Sequence, residues 1–405
     1  MTIGVGGSTI EAELDKLSDM TADIVPIDIA EFQARLDKAR TLMKKQGLDA
    51  IYLNAGTNMT YFTGTKWYAS ERMVGAILTA DGSLTYIAPV FEIGTLKDFM
   101  VIDGPIAGWQ EHESPYALFA SQLKNMGLQG GRIGLDEATP FFIVDGLRQA
   151  APTCDFVNAT PVTAGCRMIK SPAEIALMQR AKNMTLEVHK AAARILRPGI
   201  STTEVTAFIH EAHKKVGAPG GSSFCIVLFG EPTAYPHGVK DPQILRDGDM
   251  VLIDTGCLLH GYNSDITRTY VYGPPTDRQR EVWNIEKAAQ AAAFEAAQIG
   301  VRCGDVDRAA RTYLEQQGFG PGYDLPGLPH RTGHGIGLDI HEWPYLVLSD
   351  DTPLAPGMCF SNEPMICIPG EFGVRLEDHF YMTEDGPRWF TTPSPSIDDP
   401  FGLGQ

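Results

Sequence analysis

The sequence predicts an α+β fold in two domains behind an N-terminal arm at residues 1–28. A small α/β domain at 29–165 precedes a larger, pseudo-symmetric domain at 166–405. Three observations lead there. Helix and strand patterns alternate through the first domain. A helix–helix–hairpin pattern occurs twice in the second. Each copy closes on two carboxylates, Asp254 with Asp265 and Glu363 with Glu377, one ending an apolar strand and one opening the next.

In the arm, Ile10 to Leu17 is a short amphipathic piece suited to packing on its own or a neighbouring subunit. Glu31 to Gln46 reads as a helix with Phe32, Leu36, Ala39, Leu42 and Met43 on one face and Gly47 closing it. Ala50–Leu53 reads as a strand, and Val74–Leu78 and Leu84–Ala88 flank the Asp81-Gly82 turn as a hairpin. Pro115–Asn125 is helical and Ile133–Asp136 extended. Ala164–Lys170 reads as the junction between domains.

Beyond the junction, Ser171-Pro172-Ala173-Glu174 is a helix start: Ser at the N-cap, Pro at the first helical position, Glu closing a capping box. The helix runs to about Leu196. Ser201 to Glu204 repeats the box for a helix that ends before Gly217, and Phe224–Phe229 is an apolar strand. Asp277–Ala297 and Asp305–Gln317 are the matching helices of the second copy. The run Val251-Leu252-Ile253 ends on Asp254; Thr255-Gly256 and Gly261-Tyr262-Asn263 carry turn signals; Asp265 opens Ile266–Tyr272. The tail after Asp385 reads as irregular.

The two copies keep a common spacing. Asp254 follows Gly248 by six residues, and Glu363 follows Gly357 by six. Between the acidic pairs, glycines flank His334 in Thr332-Gly333-His334-Gly335, letting the backbone approach closely. Carboxylates crowded together without solvent are tolerated as anions when a cation sits between them. Four carboxylates and one imidazole suit two divalent ions, manganese first, with cobalt, iron or zinc also compatible. Two such ions about 3.5–4 Å apart activate water and polarise a carbonyl, which is machinery for hydrolysing an amide.

Composition narrows the class. The chain has 405 residues, 43% hydrophobic and 20% charged, with a net charge of -17. That balance disfavours nucleic acid and anionic membrane as partners, and no run approaches the ~20 apolar residues of a membrane span. The first residues lack a basic stretch followed by an apolar one. Seven cysteines without a C-x-x-C pair read as reduced thiols of a cytoplasmic protein.

The stretches RMIKSPAEIALMQRA, YPHG, LIDTG with SDITRT, HRTGHGIG with IHE, SNEP and VRLED carry a resemblance. Residues 166–405 resemble the catalytic domain of the family that holds aminopeptidase P, prolidase, methionine aminopeptidase and creatinase, whose fold is called pita-bread. The preceding domain is similar to the creatinase-like N-terminal domain of the Xaa-Pro peptidases. The resemblance implies that Asp254, Asp265, His334, Glu363 and Glu377 are metal ligands. Asp265 and Glu377 would bridge, Asp254 would hold one ion, and His334 with Glu363 the other. It implies cleavage of the amide before proline by a metal-bridging hydroxide, with Glu363 also moving a proton. His237, His330 and His341 would contact the substrate and its oxyanion, and Arg375 would orient the carboxylates. It further implies a small peptide substrate, as an Xaa-Pro dipeptidase or aminopeptidase, and a homodimer. Two other readings stay open: a hydrolase or lyase for a small metabolite of the ectoine or sulfonium type, and an inactive peptide-binding scaffold. Creatinase itself lacks the intact ligand set that this chain keeps.

Overall fold

A computed structural model describes residues 2–404. They separate into two units, Ile27–Arg167, and Met1–Pro26 with Met168–Gln405. The N-terminal segment packs on the larger unit. Thr9 caps helix α1 (Ile10–Lys16), and the buried Glu13 pairs with Arg194 at 2.6 Å. The Ile3 and Ser8 amides bond to the carbonyls of Asp398 and Arg194.

The smaller unit runs α2 (Ile29–Gln46), β1 (Ala50–Asn54), α3 (Thr57–Thr63), β2 (Gly75–Thr79), β3 (Leu84–Pro89), α4 (Ile93–Phe99), β4 (Ile106–Trp109), α5 (Pro115–Asn125), β5 (Arg132–Leu135), α6 (Phe141–Ala150), β6 (Asp155–Asn158) and α7 (Thr160–Arg167). Its sheet has the order β4-β3-β2-β1-β5-β6. Tyr52, Ile77, Ile87, Phe119, Ile133 and Leu147 form its core. Gly47 adopts φ 65° and ends α2 with its amide on the Lys44 and Met43 carbonyls. The residues read as a junction begin inside α7, and the break falls after Arg167.

The larger unit repeats itself. Helices α8 (Pro172–Arg194) and α9 (Thr202–Lys215) precede β7 (Ser222–Phe229), β8 (Met250–Leu259), β9 (Tyr262–Asn263) and β10 (Ile266–Val271). Helices α10 (Asp277–Ala296) and α11 (Cys303–Gln316) precede β11 (Gly333–Gly335), β12 (Glu342–Leu346), β13 (Cys359–Asn362), β14 (Met365–Ile368), β15 (Phe372–Arg375), β16 (Asp378–Thr383) and β17 (Gly386–Trp389). Both capping boxes form: Ser171 with Glu174, and Ser201 with Glu204. Thr276 with Gln279 makes a third, on α10. The first copy gives the sheet β10-β8-β7, the second β12-β11-β13-β16-β17 with a separate β14-β15 pair. Trp283, Leu314, Phe360 and Phe380 lie in the core between the second helices and their sheet.

Three local expectations are corrected. Asp254 does not end its strand. Strand β8 continues to Leu259 because the buried Arg375 pairs with the carboxylate in mid-strand. Thr255-Gly256 is likewise strand, not turn; a Cβ on Gly256 would sit 1.9 Å from the Ser264 carbonyl oxygen. The chain reverses instead at His260-Gly261, with φ 50° and 92°. The tail also contains β17, where Trp389 stacks on Phe294 at 4.1 Å between ring centroids. All seven cysteines are free thiols.

Candidate metal centre

The centre forms where the strands of the two copies meet. On the first, Asp254 and Thr267 face each other across the β8–β10 pair, and Asp265 immediately precedes β10. A lone bridge joins Thr267 to Glu377 of the second copy, the Glu377 amide donating to the Thr267 carbonyl at 3.1 Å. Strand side chains repeat every two residues on one face, so Asp265 and Thr267 point together, as do Arg375 and Glu377. His334 comes from β11, and Glu363 directly follows β13.

Ligand atoms of Asp265, His334 and Glu377 all lie within 4.8 Å of one another, and all three residues are buried. His334 Nε2 also lies 3.0 Å from Glu363 Oε1 and 3.6 Å from Asp265 Oδ2. Asp254 is tied in by Arg375, whose Nη2 donates to Oδ2 at 2.5 Å. The five residues expected as ligands therefore converge, with Asp254 and Glu363 flanking the inner three.

The donor set fits divalent cations on three observations. Asp254 Oδ1, Asp265 Oδ1 and Glu377 Oε1 are buried with no hydrogen-bond partner, which is costly for carboxylate oxygens unless something positive faces them. His334 Nδ1 lies 3.0 Å from the Gly335 carbonyl. A carbonyl only accepts, so Nδ1 carries a proton and Nε2 is the atom turned to the two carboxylates, the arrangement in which an imidazole would ligate a metal. Burial and the neighbouring acids Glu377, Asp254 and Glu363 push the Asp265 carboxyl well above its usual range. Burial, Glu363 and Asp254 do the same to Glu377. For Glu363, burial pulls upward but is outweighed by the hydrogen bond and charge of His334 and by His330 and Arg375, which hold it low. A cation reconciles these opposing directions by letting all the acids ionise.

The outer residues are arranged unequally. Arg375 is buried and spends its guanidinium on Asp254, on Thr267 Oγ1 at 3.2 Å and on the Pro236 carbonyl at 3.0 Å. Through Pro236 it anchors the turn that carries the exposed His237. His341 is exposed and its ring lies 4.1 Å from that of His334. Arg331 Nη2 approaches His341 Nδ1 at 3.4 Å. An arginine only donates, so the neutral His341 carries its proton on Nε2. Partial burial of the ring, with the charges of His334 and Arg331, pushes its pKa down to about 4, keeping it neutral. His330 is the reverse: Nδ1 lies 2.7 Å from the Arg331 carbonyl, so Nε2, buried and unpartnered, is a bare acceptor. Burial also lowers its pKa.

Comparison with known proteins bears on the whole chain. Residues 176–384 match Metallopeptidase family M24, and residues 35–169 match the Creatinase/Prolidase N-terminal domain. The chain belongs to metallopeptidase family M24. The Xaa-Pro dipeptidase of Pyrococcus furiosus is 32% identical, the match covering 88% of this chain and 97% of that protein. The crystal structure of dipeptidase PepE from Mycobacterium ulcerans superposes with TM-score 0.85 at 32% identity, covering 91% of this chain and 97% of that one. The X-Pro aminopeptidase of Thermotoga maritima gives TM-score 0.76 at 25% identity, covering 88% and 97%. The architecture is thus the pita-bread fold behind a creatinase-type N-terminal domain, and membership of M24 implies divalent metal ions.

Within this M24 centre, several contributors escaped the sequence reading. Thr267 Oγ1 donates to Glu377 Oε2 at 2.7 Å. Ser361 Oγ accepts from the His334 amide at 2.9 Å and donates to Glu363 Oε1 at 3.0 Å, setting two ligands at once. Asp307 and Arg311 on α11 form a buried pair at 2.9 Å. Asp307 also takes the Thr332 amide and hydroxyl, while Arg311 donates to the Leu328 and His330 carbonyls. That pair holds the loop leading into His334. The (i, i+4) spacing of Asp307 and Arg311 on one helix was a readable signal. The Thr and Ser hydroxyls had none.

Proposed function

We propose that this chain is a dinuclear metal-dependent hydrolase that cleaves the amide before proline in Xaa-Pro peptides, with manganese the first candidate ion. The observation that carries the proposal is the buried cluster of Asp265, His334 and Glu377 flanked by Asp254 and Glu363. Asp265 and Glu377 would be shared between the ions, Asp254 would serve one, and His334 with Glu363 the other. Such ions, when bound, supply Lewis-acid polarisation of the scissile carbonyl and acidify water at neutral pH.

The chain's own residues do the rest. Glu363 is the most open of the five, its side chain 14% exposed against 1% for Glu377. It is the group placed to take a proton and pass it to the leaving nitrogen. Its orientation is held by Ser361 Oγ. His341, exposed beside His334 and with Nε2–H left to donate, suits an oxyanion or a terminal carboxylate. His237 stands exposed on the turn that Arg375 anchors through the Pro236 carbonyl. The 32% identities to proteins named dipeptidases support the dipeptidase form over the aminopeptidase form.

The test is release of free amino acid from Gly-Pro, Ala-Pro and a longer Xaa-Pro-Xaa peptide by EDTA-stripped protein with and without Mn²⁺. Cleavage restored by metal, fastest on the dipeptides and lost in Asp265→Ala, is the expected result. Bound cations with no cleavage of any proline peptide would overturn the peptide substrate and leave a small non-peptide one. Restored cleavage confined to the longer peptide would make it an aminopeptidase.

A further inference from the structure

We propose that His379 is a positioning residue for Glu377, donating from Nε2–H to Oε1 in the cation-loaded centre; this rests on the metallohydrolase reading above. His379 is 0% exposed. Its Nε2 lies 3.4 Å from Glu377 Oε1. Among the described residues neither ring nitrogen of His379, nor Glu377 Oε1, has a hydrogen-bond partner. A neutral imidazole always carries one N–H, and a buried N–H without an acceptor is rare in a folded protein. Glu377 Oε1, 3.4 Å from Nε2, is a carboxylate oxygen that likewise has no donor.

The placement follows from the sheet. Arg375, Glu377 and His379 recur at two-residue steps in an extended stretch and so share a face. In the β13–β16 pair His379 stands directly opposite Ser361, the residue that sets His334 and Glu363. Its ring also meets that of His334 edge-on at 6.4 Å. The two oxygens of Glu377 then have separate supports: Thr267 of the first copy on Oε2, His379 of the second on Oε1. His379 is not part of the tight ligand cluster, so an orienting role from behind fits better than direct ligation. Outer donors of this kind hold a ligating carboxylate in one direction, and losing one typically costs 10–100-fold in metal affinity.

The test is calorimetric titration of EDTA-stripped protein with MnCl₂, with far-UV circular dichroism as a folding check. His379→Phe keeps the ring and removes the donor; its Kd for Mn²⁺ should rise about 10–100-fold, while His379→Gln, which keeps an N–H, should recover most of the affinity. Long-range ¹⁵N–¹H correlation of the unmodified, Zn²⁺-loaded protein gives an answer that no substitution can spoil: His379 should carry its proton on Nε2. Unchanged Mn²⁺ affinity in His379→Phe, with the parent binding two ions, would overturn the role of His379 and leave the function standing. A proton on Nδ1 with a bare Nε2 would do the same. A parent protein that binds no ion would overturn both.

Discussion

The two copies within the larger unit share a frame and differ in how they hold their acids. Each is two helices followed by strands that carry two carboxylates. In the first copy, Asp254 is oriented by Arg375, which belongs to the second. In the second copy, Glu377 is oriented by Thr267, which belongs to the first. Arg268 and Thr269 extend the exchange: Arg268 donates to the Glu377 carbonyl and pairs with Asp378 at 2.7 Å, and Thr269 Oγ1 donates to the Arg375 carbonyl. Neither copy can build its half of the centre alone. A duplicated hairpin supplies the carboxylates, but the contacts between copies supply their direction.

The largest effect should come from breaking the shared cluster on either side. Asp265→Ala and Glu377→Ala should each lower kcat/KM about a thousandfold or more, since several kcal/mol of charge stabilisation are lost and each 1.36 kcal/mol is tenfold. Equal losses from the two would mark one centre. A tenfold loss in one and a thousandfold loss in the other would show that the copies are not equivalent contributors.

The next effect tests the frame itself. Each copy has a glycine pressed against a backbone carbonyl: Gly256 against Ser264 and Gly333 against Ser361, where a Cβ would come within 1.9 and 2.1 Å. Gly256→Ala and Gly333→Ala should each cost about 3 kcal/mol or fail to fold, because the opposing atom is main chain and cannot rotate away. Denaturant unfolding checks this. A cost under about 1 kcal/mol at either site would mean the sheets yield more readily than their spacing implies.

Exchange between copies is the third target. Arg375→Met and Thr267→Val should each weaken Mn²⁺ binding about 10–100-fold. The double variant should fall short of the product of the two, because Arg375 Nε already donates to Thr267 Oγ1. Strict additivity would show two independent supports.

Much of this centre was legible in the sequence. The repeated spacing found the four carboxylates, the flanking glycines marked His334, and the capping boxes placed α8 and α9. What could not be read are contacts between residues more than a hundred positions apart, such as Arg375 with Asp254 and Thr267 with Glu377. No local pattern encodes them. Asp254 was misplaced at a strand end for that reason, since an acid inside an apolar strand is tolerable only with a distant partner. The tautomers of His330, His334 and His341 depend on single carbonyls and one guanidinium, which are also invisible in sequence. His379 was different: its alternation with Arg375 and Glu377 was in plain view, but a lone histidine reads as an ordinary core residue until its neighbours are placed.

The smallest predicted effect contrasts the two units. In the larger one, burial pushes His189 down to about 3 and His213 down to about 4. Both bind fewer protons folded than unfolded below the ordinary histidine pKa of about 6.5. Their contribution to stability is therefore lost as pH falls from about 6.5 toward 4. In the smaller unit, burial raises Asp136 to about 6. Its folded form binds more protons than its unfolded form above about 4, so its contribution is lost as pH rises through 6. Hydrogen exchange across pH 4–7 should show the larger unit loosening first on acidification. Loosening of the smaller unit first would contradict that assignment.

The central claim is one cation centre built jointly by both copies. It is tested most directly by metal analysis of purified protein, stripped and reloaded with Mn²⁺ at neutral pH, alongside Asp265→Ala and Glu377→Ala. Two ions per chain in the parent, and loss of both ions in each variant, is the predicted result. Two ions retained in either variant, or none in the parent, would contradict it.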